Sequence, residues 1–157
     1  MFDILIQIQM IDISRYYSFI LPIITWVFIL LIKIVLYSLK HGWDIGNTLK
    51  HVSHGHMPSA HTGFIVSLVT AVGYYQGVDS GAFAVAFVLA IITIDDAVRL
   101  RMYMGDQGRY LNKIIENLQL EEKYPKLKER MGHRIREVIV GGLIGFSFTL
   151  ALARLLG

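Results

Sequence analysis

The stretch SFILPIITWVFILLIKIVLYSL, Ser18 to Leu39, carries a single charged residue, Lys33. An α-helix needs about 20 apolar residues to cross the hydrocarbon of a bilayer, so this stretch reads as a membrane span. Outward from it, the same reading takes in 137–156 and two shorter stretches, 60–75 and 81–97. Only Gln76-Gly-Val-Asp-Ser80 separates the short pair, and Gly77 and Asp79 supply turn chemistry, so the two form a helical hairpin. The alternative is burial in a water-soluble core. It fails on supply: in a chain of 157 residues, 54% hydrophobic and 17% charged, too few polar residues remain to cover four such segments. The expected fold is all-α, one integral membrane domain over 1–157 with about four transmembrane helices.

Four spans put the loop 40–57 and the polar stretch 98–136 on one side of the membrane, with both termini and the hairpin turn on the other. The first side holds Lys40, Lys50, Arg99, Arg101, Arg109, Lys113, Lys123, Lys126, Lys128, Arg130, Arg134 and Arg136, against Arg15 and Arg154 opposite. By the positive-inside bias this basic side is cytoplasmic, and it attracts anionic headgroups. Within it, Tyr110, Leu111, Ile114, Ile115 and Leu118 recur at helical spacing between Asp106 and Leu120, with Arg109, Lys113 and Glu116 between them. That pattern predicts an amphipathic helix, either lying at the interface or packed on the bundle. Tyr124-Pro125 follows as a breaker, and 126–130 leads into the last span. Met1 to Ile13 lacks the features of a cleaved signal and is expected to be retained along the interface. The absence of cysteine excludes disulfides and thiol chemistry.

Ionisable groups close to hydrocarbon are costly and are usually there for a use. The topology places His61, Arg99, Arg101, His133 and Glu137 at span ends on the basic side, where one site can gather them. His133 and Glu137, four apart, share a helix face; the carboxylate can hold the imidazole in one tautomer and leave its other nitrogen free to attack. A surface pair, or Glu137 complementing the dipole of a helix start, is the commoner use of that spacing. In Met57-Pro-Ser-Ala-His61, Pro58 suits a first helical turn, and the amides about Ser59 and Ala60 can bind an anion beside a proton donor, His61. A plain cap fits equally. Arg99 and Arg101 suit phosphate or simple anchoring, and Asp95 and Asp96, inside an apolar run, call for cationic partners, with Asp95 to Arg99 at ion-pair spacing. Lys33 either snorkels to the interface, its default, or offers its ammonium to a phosphate. His51, His54, His56 and His61 invite a metal reading, which ranks lower because no cysteine or recognised ligand spacing completes the set.

These blocks together resemble the divergent branch of the type 2 phosphatidic acid phosphatase (PAP2) family, relatives of the vanadium-dependent haloperoxidases. Gly55-His-Met-Pro-Ser-Ala-His61 resembles that branch's Gly-Gly-Met-Pro-Ser-Ser-His. Asp96-Ala97, Arg101, Gly105-Asp-Gln107 and Leu111-Asn112 resemble its Asp-Ala, Arg, Gly-x-Gln and Leu-Asn sequence, and Gly132-His133 with Glu137-Val138 and Gly141 its Gly-His-x-x-x-Glu-Val-x-x-Gly. Lys33 falls where the branch carries a lysine. The resemblance implies a phosphatase in which His133 attacks phosphorus, Glu137 orients it and His61 protonates the leaving alcohol. Lys33, Arg101, Ser59 and the amides near Ala60 would hold the phosphate oxygens, and Asp96, Gly55 and Pro58 would support the site; Arg99, which the branch does not carry, is a further candidate phosphate contact from its position alone. No metal or other cofactor is implied. The chain departs from mainstream members in lacking Arg-Pro after Lys33, in the distance from Arg101 to His133 and in Glu for Asp at 137; within the branch it departs at His56, Arg99 and Met102.

The function expected is hydrolysis of a lipid phosphate monoester or pyrophosphate through a phosphohistidine, at the cytoplasmic face, with membrane lipid as partner and no nucleic acid. A non-catalytic protein that binds or moves lipid phosphates is the first alternative, favoured by the departures, and a metal-binding membrane protein using the histidines of 51–61 is the second. Gly141, Gly142 and Gly145 permit close helix contact within the chain or in a homo-oligomer.

Overall fold

Two serines start the hairpin helices. The Ser59 hydroxyl accepts from the Thr62 amide at 3.4 Å and the Ser80 hydroxyl from the Phe83 amide at 3.1 Å, each satisfying one of the amides that a helix start leaves unpaired. Between them the first helix ends at Gly77, whose φ of 89° is a conformation that glycine adopts without strain. The computed structural model describes residues 16–42, 57–120, 123–129 and 135–157. Their regular structure is helical: α1 Tyr17–His41, α2 Ala60–Gln76, α3 Gly81–Asp95, a π-turn Asp96–Leu100, α4 Arg101–Asn117 and α5 Ile135–Leu156. The N-terminal segment 1–13 and, within the loop, His51, His54, Gly55 and His56 lie outside the described residues, as does His133.

Among the described residues three helical runs, Tyr17–Lys40, Gly81–Asn117 and Ile135–Leu156, are long and apolar enough to cross a membrane. α2 has 17 residues, about 26 Å at 1.5 Å per residue, a little less than the ~30 Å of hydrocarbon. It is the helix the others surround: α1, α3 and α5 all pack on it, and α1 also packs on α5. The polarity of the bundle is the reverse of a soluble protein's. Ser18, Thr25, Lys33, Ser59, Thr62, Ser67 and Thr149 are buried, whereas Val85, Val88, Ile91 and Ile92 stand exposed on α3. Apolar surface of that kind is stable against lipid tails, and hydroxyls joining helices inside are the usual glue of membrane bundles. Here the Thr149 hydroxyl of α5 donates to Ser67 Oγ of α2 at 2.6 Å and lies 2.9 Å from Thr25 Oγ1 of α1. Towards the α1 N-terminus, Leu21, Ala71 and Ala153 form an apolar cluster closed by Tyr17 and Tyr75. The chain is an all-helical membrane protein.

The amphipathic segment expected over 106–120 is helical as far as Asn117, within α4, and runs on from α3 without a break. α3, the π-turn and α4 form one run of 37 residues, Gly81–Asn117, about 55 Å long and so well beyond the hydrocarbon layer at one end. The reason lies in what 97–106 lacks. No proline interrupts it, and Gly105 alone costs about 1 kcal/mol relative to alanine, too little to end a helix. The π-turn, closed by the Arg101 amide on the Asp96 carbonyl, absorbs one extra residue instead.

Candidate active site

Lys33, Ser59 and Glu137 come from three helices and meet at the basic end of the bundle. Lys33 is 5% exposed. It does not snorkel, the default expectation, but turns inward, where its ammonium interacts electrostatically with the Glu137 carboxylate. Ser59, fully buried, caps α2; its hydroxyl also lies 2.9 Å from Thr62 Oγ1. Pro58 precedes that cap rather than occupying the first turn, and its peptide bond with Met57 is cis. The Ser59 amide is not free to receive an anion: it donates to the Glu137 carbonyl at 3.1 Å, tying the start of α2 to the first turn of α5. The next amide, that of the buried Ala60, has no hydrogen-bond partner among the described residues.

Glycines make the meeting possible. A β-carbon on Gly141 would collide with the Ser59 carbonyl, and one on Gly145 with the Gly63 carbonyl a turn further along. A β-carbon on Gly63 would in turn strike the Ile29 side chain of α1. α2 therefore touches α5 backbone to backbone, the small-residue mode of packing in membranes, and for Gly141 and Gly145 the close contact is made within the chain. Lys33, Ser59 and Gly141 each stand eight residues from a member of the Thr25, Ser67 and Thr149 hydroxyl set, about 12 Å along a helix. The site and the hydroxyl set are two polar levels of one three-helix interface.

The arginines form a second group. Arg99 donates to Asp95 at 2.8 Å, the i,i+4 pair that the spacing suggested, and Arg101 donates to Asp96 at 3.0 Å across the π-turn. The described contacts of both guanidiniums are thus with these carboxylates on their own helix. His61 is exposed on the first turn of α2. Among the described residues no group of three or more His, Cys, Asp or Glu is placed to hold a metal ion.

Nothing in the sequence singles out Thr62 or Gly63. A hydroxyl three residues after a serine cap is ordinary in sequence, and only the contact with α5 gives it weight. Together the inward ammonium, the Ala60 amide at a buried helix start and the adjacent carboxylate can hold a phosphate group and orient a base or nucleophile beside it.

A membrane protein of Bacillus subtilis (strain 168), described as uncharacterized membrane protein YuiD, is 38% identical over 64% of this chain and 72% of its own length. No solved structure matches the chain. The family described as Divergent PAP2 matches residues 15–148, nearly the whole chain, and the protein belongs to that family.

Proposed function

We propose that this protein is a membrane phosphatase that hydrolyses a lipid phosphate monoester or pyrophosphate at the basic, cytoplasmic end of its bundle. The observation that carries the reading is the buried Lys33 ammonium beside Glu137, next to the helix start at Ser59. A cation inside the bundle is costly unless anions face it; Glu137 supplies one, and a phosphate would supply another. In the proposed reaction an imidazole nitrogen of His133 attacks phosphorus, the P–O bond to the lipid breaks, and the leaving oxygen takes a proton from His61. Water then attacks the phosphohistidine, giving its proton to His61; the P–N bond breaks and phosphate leaves. Glu137 holds the imidazole, and Lys33 with the Ala60 amide faces the charge that develops on the equatorial oxygens. Arg101 joins them when it exchanges Asp96 for phosphate.

A lipid substrate is supported by a cavity of about 460 Å³ between α2, α3 and α5, walled by Val66, Phe87, Ile94 and Phe146 among others. Such a wall suits a hydrocarbon chain. Vanadate-sensitive release of phosphate from lipid phosphates by the purified protein is expected, with loss of turnover in His133→Ala; turnover unchanged in that variant refutes the assignment.

A second reading, a protein that binds or moves lipid phosphates without turnover, is favoured by one observation: both arginines are engaged by aspartates. Glu137→Gln separates the two, since it removes turnover from an enzyme and leaves the binding of a mere carrier in place.

A further inference from the structure

Two residues of α4, one turn apart, hold the chain segment that runs on towards α5, and the proposed reaction uses neither. The Asn112 side chain pairs with that segment as a neighbouring strand would: its Nδ2 donates to the Leu127 carbonyl at 2.9 Å and its Oδ1 accepts from the Leu127 amide at 2.9 Å. The same Nδ2 also reaches Glu129 Oε1 at 2.9 Å. One turn before it, Gly108 is buried, and a β-carbon there would come 2.6 Å from the Lys128 carbonyl. Removing a side chain at 108 and supplying a planar amide at 112 are separate devices with one result. The segment 125–129 is held backbone-close against α4.

We infer that Gly108 and Asn112 are positioning residues for the active site. The link is mechanical. Glu129 lies only six residues before Ile135, where α5 starts, and a chain of that length reaches at most about 21 Å. Docking of 125–129 therefore fixes one end of a short tether whose other end carries Glu137, with its carbonyl on the Ser59 amide. α4 is continuous through the π-turn with α3, so the tether is anchored to a helix that is itself packed on α2. Among the described residues neither contacts Lys33, Ser59 or Glu137, and both act through the placement of the chain ahead of α5. The inference rests on the phosphatase reading for its catalytic consequence, and on the Asn112 hydrogen bonds and the Gly108 contact for the docking.

The absence of cysteine from the chain makes a direct test possible. The double variant Asn112→Cys with Leu127→Cys, in membranes, is expected to form a disulfide under mild oxidation, and the pair Asn117→Cys with Leu127→Cys is not. With a lipid phosphate as substrate, Asn112→Ala is expected to lower kcat by about tenfold or more, because small misplacements of reacting groups carry losses of that order, with KM within about threefold. Gly108→Ala is expected to do the same. The oxidised Asn112→Cys, Leu127→Cys protein should recover most of the lost kcat, and reduction of the same sample should remove it again. Failure to cross-link overturns the docking, and equal kcat in the oxidised and reduced forms overturns the positioning role. Efficient cross-linking in a protein whose unsubstituted form releases no phosphate sustains the docking and sinks the phosphatase reading.

Discussion

Lys33 is the single residue on which the site turns. In sequence it is a lone cation in an apolar span, and snorkelling is the ordinary fate of such a residue. Its inward turn depends on Glu137, which lies 104 positions later in the chain, and no local pattern announces a partner at that distance. Lys33→Met keeps the length of the side chain and removes the charge. It is expected to lower kcat/KM by about a hundredfold while leaving the midpoint of thermal unfolding unchanged or raised, since an apolar side chain can replace a buried ion without loss of stability. Steady-state kinetics and a melting curve in detergent check the two parts. Gly141 makes the opposite case, of a residue needed for what it lacks. Gly141→Ala puts a methyl group against the Ser59 carbonyl, and overpacking of this kind costs about 1–3 kcal/mol. A lower melting midpoint, with activity falling alongside it, is expected. The glycines were visible in sequence as a sign of close contact; their partners, Ser59 and Gly63, were not, because a contact between helices is written in neither helix alone.

Among the elements, the spans and the hairpin turn were readable from hydropathy and from Gly77 and Ser80, because each depends on neighbouring residues only. The long helix was not. Its halves carry different patterns, one apolar and one amphipathic, and the change of pattern suggests two elements where the structure has a π-turn joining one. A π-turn holds one residue more than an α-helical turn, and the consequence is testable. Inserting one alanine after Met104 turns the rest of α4 by about 100° and carries Gly108 and Asn112 away from 125–129; the disulfide between cysteines at 112 and 127 should be lost. Deleting Val98 returns the π-turn to an α-helical one and should leave that disulfide in place. Loss of the cross-link in the deletion, or its survival in the insertion, would contradict this account of the helix.

For the whole molecule, the distribution of polarity decides the setting: hydroxyls and Lys33 inside, aliphatic side chains outside. The membrane setting follows from composition alone, since a chain with this little charge has no other way to cover four apolar segments. Sidedness rests on the excess of lysine and arginine at one end and has its own test. In the cysteine-free chain, Lys128→Cys in right-side-out vesicles is expected to resist a membrane-impermeant maleimide until the vesicles are opened; labelling of intact vesicles would place the basic end outside. Departures from the mainstream PAP2 pattern bear on whether the assembled site turns over, and the covalent intermediate answers that most directly. Acid-labile, base-stable phosphate should be trapped when the purified protein meets a lipid phosphate labelled in its phosphate group, mapped by mass spectrometry of the rapidly quenched protein. Phosphate on His133, absent from His133→Ala and suppressed by vanadate, is the expected result. Release of phosphate at the same rate from His133→Ala, or substrate bound with neither release nor label, would contradict it.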